Sequence, residues 1–146
     1  MNVALRPAAE SDFERLLALR ILVMREHLER VGRFDPVRAR ERFRNGFAPT
    51  HTRLIDVDGT FAGCVSLVPD SIGFELMHFY VEPALQGRGI GAAVLAMLAA
   101  EADAVGKPIH LGVLKGSPAI RFYERHGFRH THEDAWDFYL QRPVLG

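Results

Sequence analysis

The run Gln86-Gly87-Arg88-Gly89-Ile90-Gly91 sets three glycines at alternate positions, between an apolar segment from Phe74 to Val81 and an alanine-rich one from Ala92 to Ala104. Residues of these types in this order can hold an anion. Glycine lets a ligand approach the backbone, the first amides of a helix point outward without partners, and the helix dipole favours negative charge. Arg88 adds a permanently charged, two-pronged donor suited to phosphate. A phosphate-bearing ligand is the chemistry this predicts.

Two familiar phosphate loops fit poorly. A Walker loop ends in Gly-Lys-Ser/Thr, and here the last glycine is followed by Ala92-Ala93. Gly87 to Ala92 does satisfy the letters G-x-G-x-x-A of a dinucleotide fingerprint. That motif, however, follows its strand directly and has an acidic residue about 20 positions on. Here Pro83 to Gln86 intervene, the downstream region is Lys107-Pro108-Ile109-His110-Leu111, and too little chain remains for the rest of that fold.

The elements that must position the glycines read as a mixed α/β chain without a linker, a repeat or a low-complexity segment. Asn2 to Arg6 is a short strand stopped by Pro7. Ser11 is the expected helix cap, with Glu14 in capping-box position, and Phe13, Leu16, Leu17, Arg20, Ile21 and Met24 mark an amphipathic helix to about Arg30, ended by Gly32. Asp35-Pro36 begins a second helix that runs to Asn45-Gly46. Strands at His51 to Val57 and Thr60 to Val68 are joined by Asp58-Gly59, a hairpin signal. Phe74 to Val81 is the next strand and Gly89 to Val105 the central helix. A strand from Pro108 to Leu114, a helix from Ser117 to His126, and closing strands at Phe128 to His132 and Ala135 to Leu140 complete the chain.

Composition narrows the class. A chain of 146 residues is expected to be one domain, 1–146. Lys plus Arg and Asp plus Glu both number 18, so no basic field points to nucleic acid or to an acidic membrane. The single cysteine, Cys64, offers no disulfide framework and suits a reducing compartment. No apolar stretch approaches the roughly 20 residues of a membrane span, and the N-terminus has no secretory pattern, so a cytoplasmic location is expected.

A second block, Ser117-Pro118-Ala119-Ile120-Arg121-Phe122-Tyr123-Glu124-Arg125-His126-Gly127-Phe128, joins the first. Gln86-x-x-Gly89-x-Gly91 resembles the Q/R-x-x-G-x-G/A signature of the GNAT superfamily of N-acetyltransferases. The later block is similar to that family's N-x-x-A-x-x-x-Y-E-x-x-G-F, with Ser117 where asparagine is usual, which weakens the cap contact. The resemblance covers nearly the whole chain and is sharp from about Phe74 to Phe128. It implies a GNAT fold, a mixed and mostly antiparallel central sheet flanked by about four helices.

It also implies acetyl-CoA as acyl donor, with no metal, and direct transfer to a primary amine of a small molecule or peptide. Family members often form homodimers, an expectation that rests on the resemblance alone. Main-chain groups of Phe79, Tyr80 and Val81 would hold the pantetheine arm in the manner of strand addition. Amides of Gly87, Arg88, Gly89, Ile90 and Gly91 would hold the pyrophosphate, with Gln86 and Ser117 completing the cofactor contacts. Tyr123 matches the tyrosine whose hydroxyl faces the thioester sulfur. A phenol near pKa 10 stays protonated at neutral pH and can donate to a thiolate of pKa about 8.5. Glu75, eleven positions before Gln86, matches the general base of histone-type members. Its apolar surroundings, Ile72 to Met77, are expected to raise its pKa. An acyl-CoA sensor without turnover is the alternative, and the presence of Tyr123 argues against it.

His78 is a rival base, with a satisfied sheet histidine as the plainer reading. Strand alternation puts Glu75, Met77, Phe79 and Val81 on one face and Leu76, His78 and Tyr80 on the other, unless a bulge intervenes. His130 and His132 would share a strand face, but no third metal ligand follows at suitable spacing. Cys64 reads as a small buried hydrophobe. The acidic turn from Glu133 to Asp137 suits an amine substrate or a plain turn equally. Arg20, Arg25, His27, Arg33 and Arg38, with Phe34 and Phe43, lie on the helices that border the acceptor in this family. Those arginines suit a carboxylate-bearing acceptor or a solvated helix face.

Overall fold

A computed structural model describes residues 1–30, 32 and 34–145, with the side chains of Glu26, His27 and Leu28 outside that description. Among the described residues there are four α-helices and one seven-stranded sheet. The strands are β1 (Val3–Pro7), β2 (Thr52–Val57), β3 (Thr60–Pro69), β4 (Phe74–Val81), β5 (Ile109–Leu114), β6 (Arg129–Glu133) and β7 (Asp137–Arg142). The helices are α1 (Phe13–Arg30), α2 (Pro36–Gly46), α3 (Ile90–Ala104) and α4 (Ala119–Arg125). The strand order is β1-β2-β3-β4-β5-β7-β6. β4 pairs with β5 in parallel at Phe74–Ile109 and Glu75–His110, while β1–β2, β2–β3, β5–β7 and β6–β7 are antiparallel. This is the mixed, mostly antiparallel sheet expected from the sequence.

The chain divides into two compact units, residues 1–66 with 78–94 and residues 67–77 with 95–146. In the first unit, Asp58 and Gly59 turn the β2–β3 hairpin with φ of +51° and +83°, the doubly left-handed turn that Asp-Gly favours. Asp35 caps α2, its Oδ1 accepting from the amides of Val37 at 3.0 Å and Arg38 at 3.3 Å, with Pro36 at the first helical position. The start of α1 departs from expectation. Ser11 lies inside a single 3₁₀ turn, Glu10–Asp12, and the closing contacts are one turn earlier. The Ala9 amide donates to Asp12 Oδ2 at 2.8 Å, and the Asp12 amide donates to the Ala9 carbonyl at 2.9 Å. With Ala9 as the leading residue, Asp12 takes the capping-box position that was expected of Glu14.

The core of this unit joins Phe13, Leu16, Leu17, Leu19, Phe43, Phe47, Leu54 and Cys64. Phe13, Phe43 and Phe47 form a ring trio with centroids 5.4 to 5.7 Å apart, which adds aromatic contact to simple burial. Phe43 is therefore core, not acceptor lining. Cys64 is fully buried, and burial pushes its thiol up to about 12, so it is an inert packing group as the sequence suggested.

The second unit buries Leu98, Ala102, Ile109, Leu111, Phe128 and Leu140. Arg142 is also buried, and its guanidinium makes a two-pronged pair with Asp103, at 2.9 and 3.0 Å. A buried guanidinium is tolerated here because the carboxylate meets both prongs.

Candidate active site

In the first unit β4 runs into the glycine turn through a 3₁₀ turn, Pro83–Leu85. The Glu82 amide donates to the Ala62 carbonyl at 2.8 Å, anchoring that turn to β3. The Gln86 side-chain amide donates to the Val81 carbonyl at 3.0 Å. Gly87 and Gly89 then adopt φ of +80° and +82°. A Cβ built on either would meet nothing within 4 Å, so glycine is required by backbone conformation, and the space beside it is open. Ile90 and Val94 are buried and pin the start of α3, while Arg88 stays exposed. Open left-handed glycines, the first-turn amides of α3 and the exposed Arg88 side chain fit a diphosphate.

β4 is not a regular strand. His78 has φ of +46°, a left-handed conformation that is uncommon away from glycine and asparagine. The Cys64 thiol donates to its carbonyl at 3.2 Å. Such a break resets the pleat, so the alternation of faces cannot be carried across residue 78. The His78 ring packs edge-on to Phe43 at 4.9 Å and lies 6.2 Å from the Tyr80 ring. Among the described residues its Nε2 is buried without a partner, while a hydrogen bond to the Gly46 backbone serves the ring, so the histidine is half satisfied. Burial first, and then the Arg20 charge, lower its pKa to about 4, against a smaller opposing pull from the Gly46 carbonyl. The ring is neutral at pH 7 and too weak a base to compete for an ammonium proton.

Of the arginines singled out from sequence, Arg20 turns inward and its Nε donates to the Tyr80 hydroxyl at 3.2 Å. Arg25 pairs with Glu29 at 2.8 Å and lies 5.0 Å over Phe34. Arg38 is exposed. Arg33 and the His27 side chain lie outside the described residues.

In the second unit Ser117 follows Gly116, whose φ is +85°, and its Oγ accepts from the Ala119 amide at 3.1 Å. The shorter side chain thus still caps α4. Tyr123 is half-buried on α4, with its ring 5.3 Å from Phe122 and 5.5 Å from Phe128. Its carbonyl accepts from the amides of His126 and Phe128, closing the helix before Gly127 at φ +91°. Glu75 is half-buried on β4, in register with His110 of β5.

The closing hairpin corrects one expectation. The β6–β7 register shifts between His130 and His132, which face Leu140 and Tyr139 respectively. One extra residue at Thr131 turns the two histidines to opposite faces. His130 packs edge-on to Phe138, and His132 stacks on Tyr139 at 4.5 Å. They cannot form a shared metal pair. Among the described residues no three His, Cys, Asp or Glu side chains converge as metal ligands. The acidic turn is occupied internally. Asp134 accepts from the Trp136 and Asp137 amides at 2.9 and 2.8 Å and from the Tyr139 hydroxyl at 2.7 Å, while Glu133 pairs with Lys115 at 2.9 Å. The Tyr139 hydroxyl, with those amides, lowers the Asp134 carboxyl to about 2.

A family model described as an acetyltransferase (GNAT) domain matches residues 49–130, more than half of the chain. The chain belongs to the GNAT acetyltransferases. The GNAT match spans β4, the glycine turn, α3 and Tyr123. Solved structures agree in fold. The PaiA N-acetyltransferase from Thermoplasma acidophilum in complex with coenzyme A is similar at TM-score 0.79 and 18% identity, over 99% of this chain and 100% of that one. The ribosomal-protein-S18-alanine N-acetyltransferase from Escherichia coli is similar at 0.71 and 18%, over 99% and 96%. The N-acetylglutamate synthase from Neisseria gonorrhoeae, complexed with coenzyme A and L-arginine, is similar at 0.70 and 21%, over 99% of this chain but 34% of that one. None of the curated proteins matches the chain by sequence. Among the described residues of this GNAT protein, no helix is long and apolar enough to cross a membrane.

Sequence reasoning missed two features of the site. The Gln86 tether was invisible because only the residue type, and not the reach of its amide, can be read from a motif. The left-handed His78 carries no sequence signal, since histidine is an ordinary strand residue by propensity.

Proposed function

We propose that this GNAT protein, as one domain over residues 1–146, transfers the acetyl group of acetyl-CoA directly to a primary amine of a small molecule or peptide. The observation that carries the proposal is the pair of left-handed, open glycines, Gly87 and Gly89, at the start of α3. Coenzyme A in the PaiA neighbour supports the choice of carrier. When bound, acetyl-CoA supplies an activated acyl group and a thiolate leaving group.

The chain's own residues would act as follows. Amides from Gly87 to Gly91, with Arg88, hold the diphosphate. Main-chain groups of Phe79, Tyr80 and Val81 hold the pantetheine amides. The Val81 carbonyl already accepts from Gln86 and keeps a second lone pair for this. Ser117 sets the start of α4 and Tyr123 donates a proton to the departing sulfur, a contribution of about 10²–10⁴-fold. Glu75 accepts the amine proton through a water, because direct abstraction from an ammonium near pKa 10 is steep. Holding the amine in line contributes more, up to about 7–11 kcal/mol in ideal cases.

Titration calorimetry with acetyl-CoA, coenzyme A and NADH, followed by thiol release over a panel of amines, amino acids and peptides, tests this. Binding of both thiol carriers but not NADH, with thiol release for at least one amine, is the expected result. NADH binding without coenzyme A binding would restore the dinucleotide reading. Tight acetyl-CoA binding with no release from any amine would favour the sensor.

A further inference from the structure

Around α1 and α2 three arginines meet carboxylates, and Arg15, Arg30, Arg38 and Arg42 are exposed to water. Glu14 meets Arg40 through two hydrogen bonds, Glu10 meets Arg44, and Glu29 meets Arg25. Arg20 stands apart. It is half-buried, and among the described residues its guanidinium has a phenol, Tyr80, and no carboxylate. Only its Nε is used, which leaves both terminal nitrogens with their hydrogens. The Tyr80 hydroxyl accepts from Arg20, so its own hydrogen is left to donate elsewhere.

A half-withdrawn cation beside an uncommitted hydroxyl hydrogen is a donor set that the described residues leave incomplete. Groups removed from water are ordinarily matched, and a charge most of all. The missing member must accept hydrogen bonds and carry negative charge. One guanidinium and one phenol provide a single positive charge and a planar fork. That matches a carboxylate better than a phosphate dianion, which needs more than one cation. The strain at His78 fits this picture, because left-handed conformations at non-glycine residues gather where a ligand is handled.

We infer that Arg20, with the Tyr80 hydroxyl, binds the carboxylate of the amine acceptor, so that the substrate class is amino-acid-like and not a plain amine or polyamine. This rests on the acetyltransferase reading above, and Arg20 acts here as a specificity residue that touches the acceptor away from the reacting nitrogen.

The test compares the twenty L-amino acids with their carboxamides, at saturating acetyl-CoA, by thiol release. The acids should react in preference to the amides. For the best acid, Arg20→Gln should raise KM about 10- to 100-fold, the factor that hydrogen bonds to a charged group carry, with a much smaller change in kcat. The acid-over-amide ratio should fall towards one. Tyr80→Phe should move both quantities in the same direction by less. Arg20→Lys keeps the charge and loses the fork, and gives the same reading in weaker form if the glutamine variant fails to fold by circular dichroism. Amides that react as well as acids, or a preference that survives both Arg20 variants, overturns the inference. If no compound releases thiol while calorimetry still detects acetyl-CoA binding, the transfer reading falls instead. The carboxylate site is then read by titrating the same acids and amides into protein loaded with coenzyme A, where equal binding of acids and amides overturns it.

Discussion

The Gln86 side-chain amide donates to the Val81 carbonyl at 3.0 Å, so the first residue of the glycine run is tied back to the last residue of β4. The tether holds the turn in a shape that presents its amides before any ligand arrives. Gln86→Ala removes one hydrogen bond of about 0.5–1.5 kcal/mol. Coenzyme A affinity measured by calorimetry should fall about 2- to 12-fold, and the melting temperature by about 1–6 °C. Unaltered affinity would mean that the turn keeps its shape without the tether.

Tyr123 sits between Phe122 and Phe128, packing that its ring supplies with or without the hydroxyl. Tyr123→Phe keeps that ring packing and should bind coenzyme A within about threefold of the parent, while kcat falls by about 10²–10⁴. Steady-state kinetics on any amine that releases thiol decides this. A kcat within a factor of two would remove Tyr123 from the chemistry.

His78 predicts an acid-side loss of stability. Its pKa in the folded chain is about 4, against 6.5 when free, because burial disfavours the imidazolium. The unfolded chain thus binds the extra proton between those values, and stability falls as pH drops from 6.5 to 4. Asparagine tolerates the left-handed backbone and does not titrate. Melting curves of His78→Asn across pH 7 to 4 should be flatter than those of the parent. Parallel curves would show that the histidine is not held neutral.

Gly63 packs its backbone against β4. A Cβ there would lie 2.1 Å from the Tyr80 carbonyl oxygen and 3.1 Å from the Val81 Cα. Both are main-chain atoms that cannot swing away. Gly63→Ala should cost at least about 1–3 kcal/mol and lower the melting temperature by roughly 2–12 °C. Because the displaced segment includes Tyr80 and Val81, coenzyme A affinity should fall with it. A variant that melts with the parent would mean that β4 shifts freely.

What could be read from the chain alone was whatever depends on near neighbours. Asp58-Gly59, Asp35-Pro36 and the glycine run each act within a few residues, through φ preferences and short hydrogen bonds, so residue types at fixed spacing were enough to place a hairpin, a helix start and a glycine turn before α3. The same local logic brought the family into view, because Gln86 to Gly91 and Ser117 to Phe128 are two such blocks in order. Tertiary structure decided which side chains meet. That Arg20 turns inward to Tyr80, sixty residues away, while Arg25 finds Glu29 one turn along, depends on how α1 lies over the β4 segment. Likewise the single extra residue at Thr131 parts His130 from His132, and the reversed φ of His78 breaks a pleat that propensity makes regular. Contacts between distant residues, and strain that only surrounding packing can hold in place, leave no mark in a pattern of residue types.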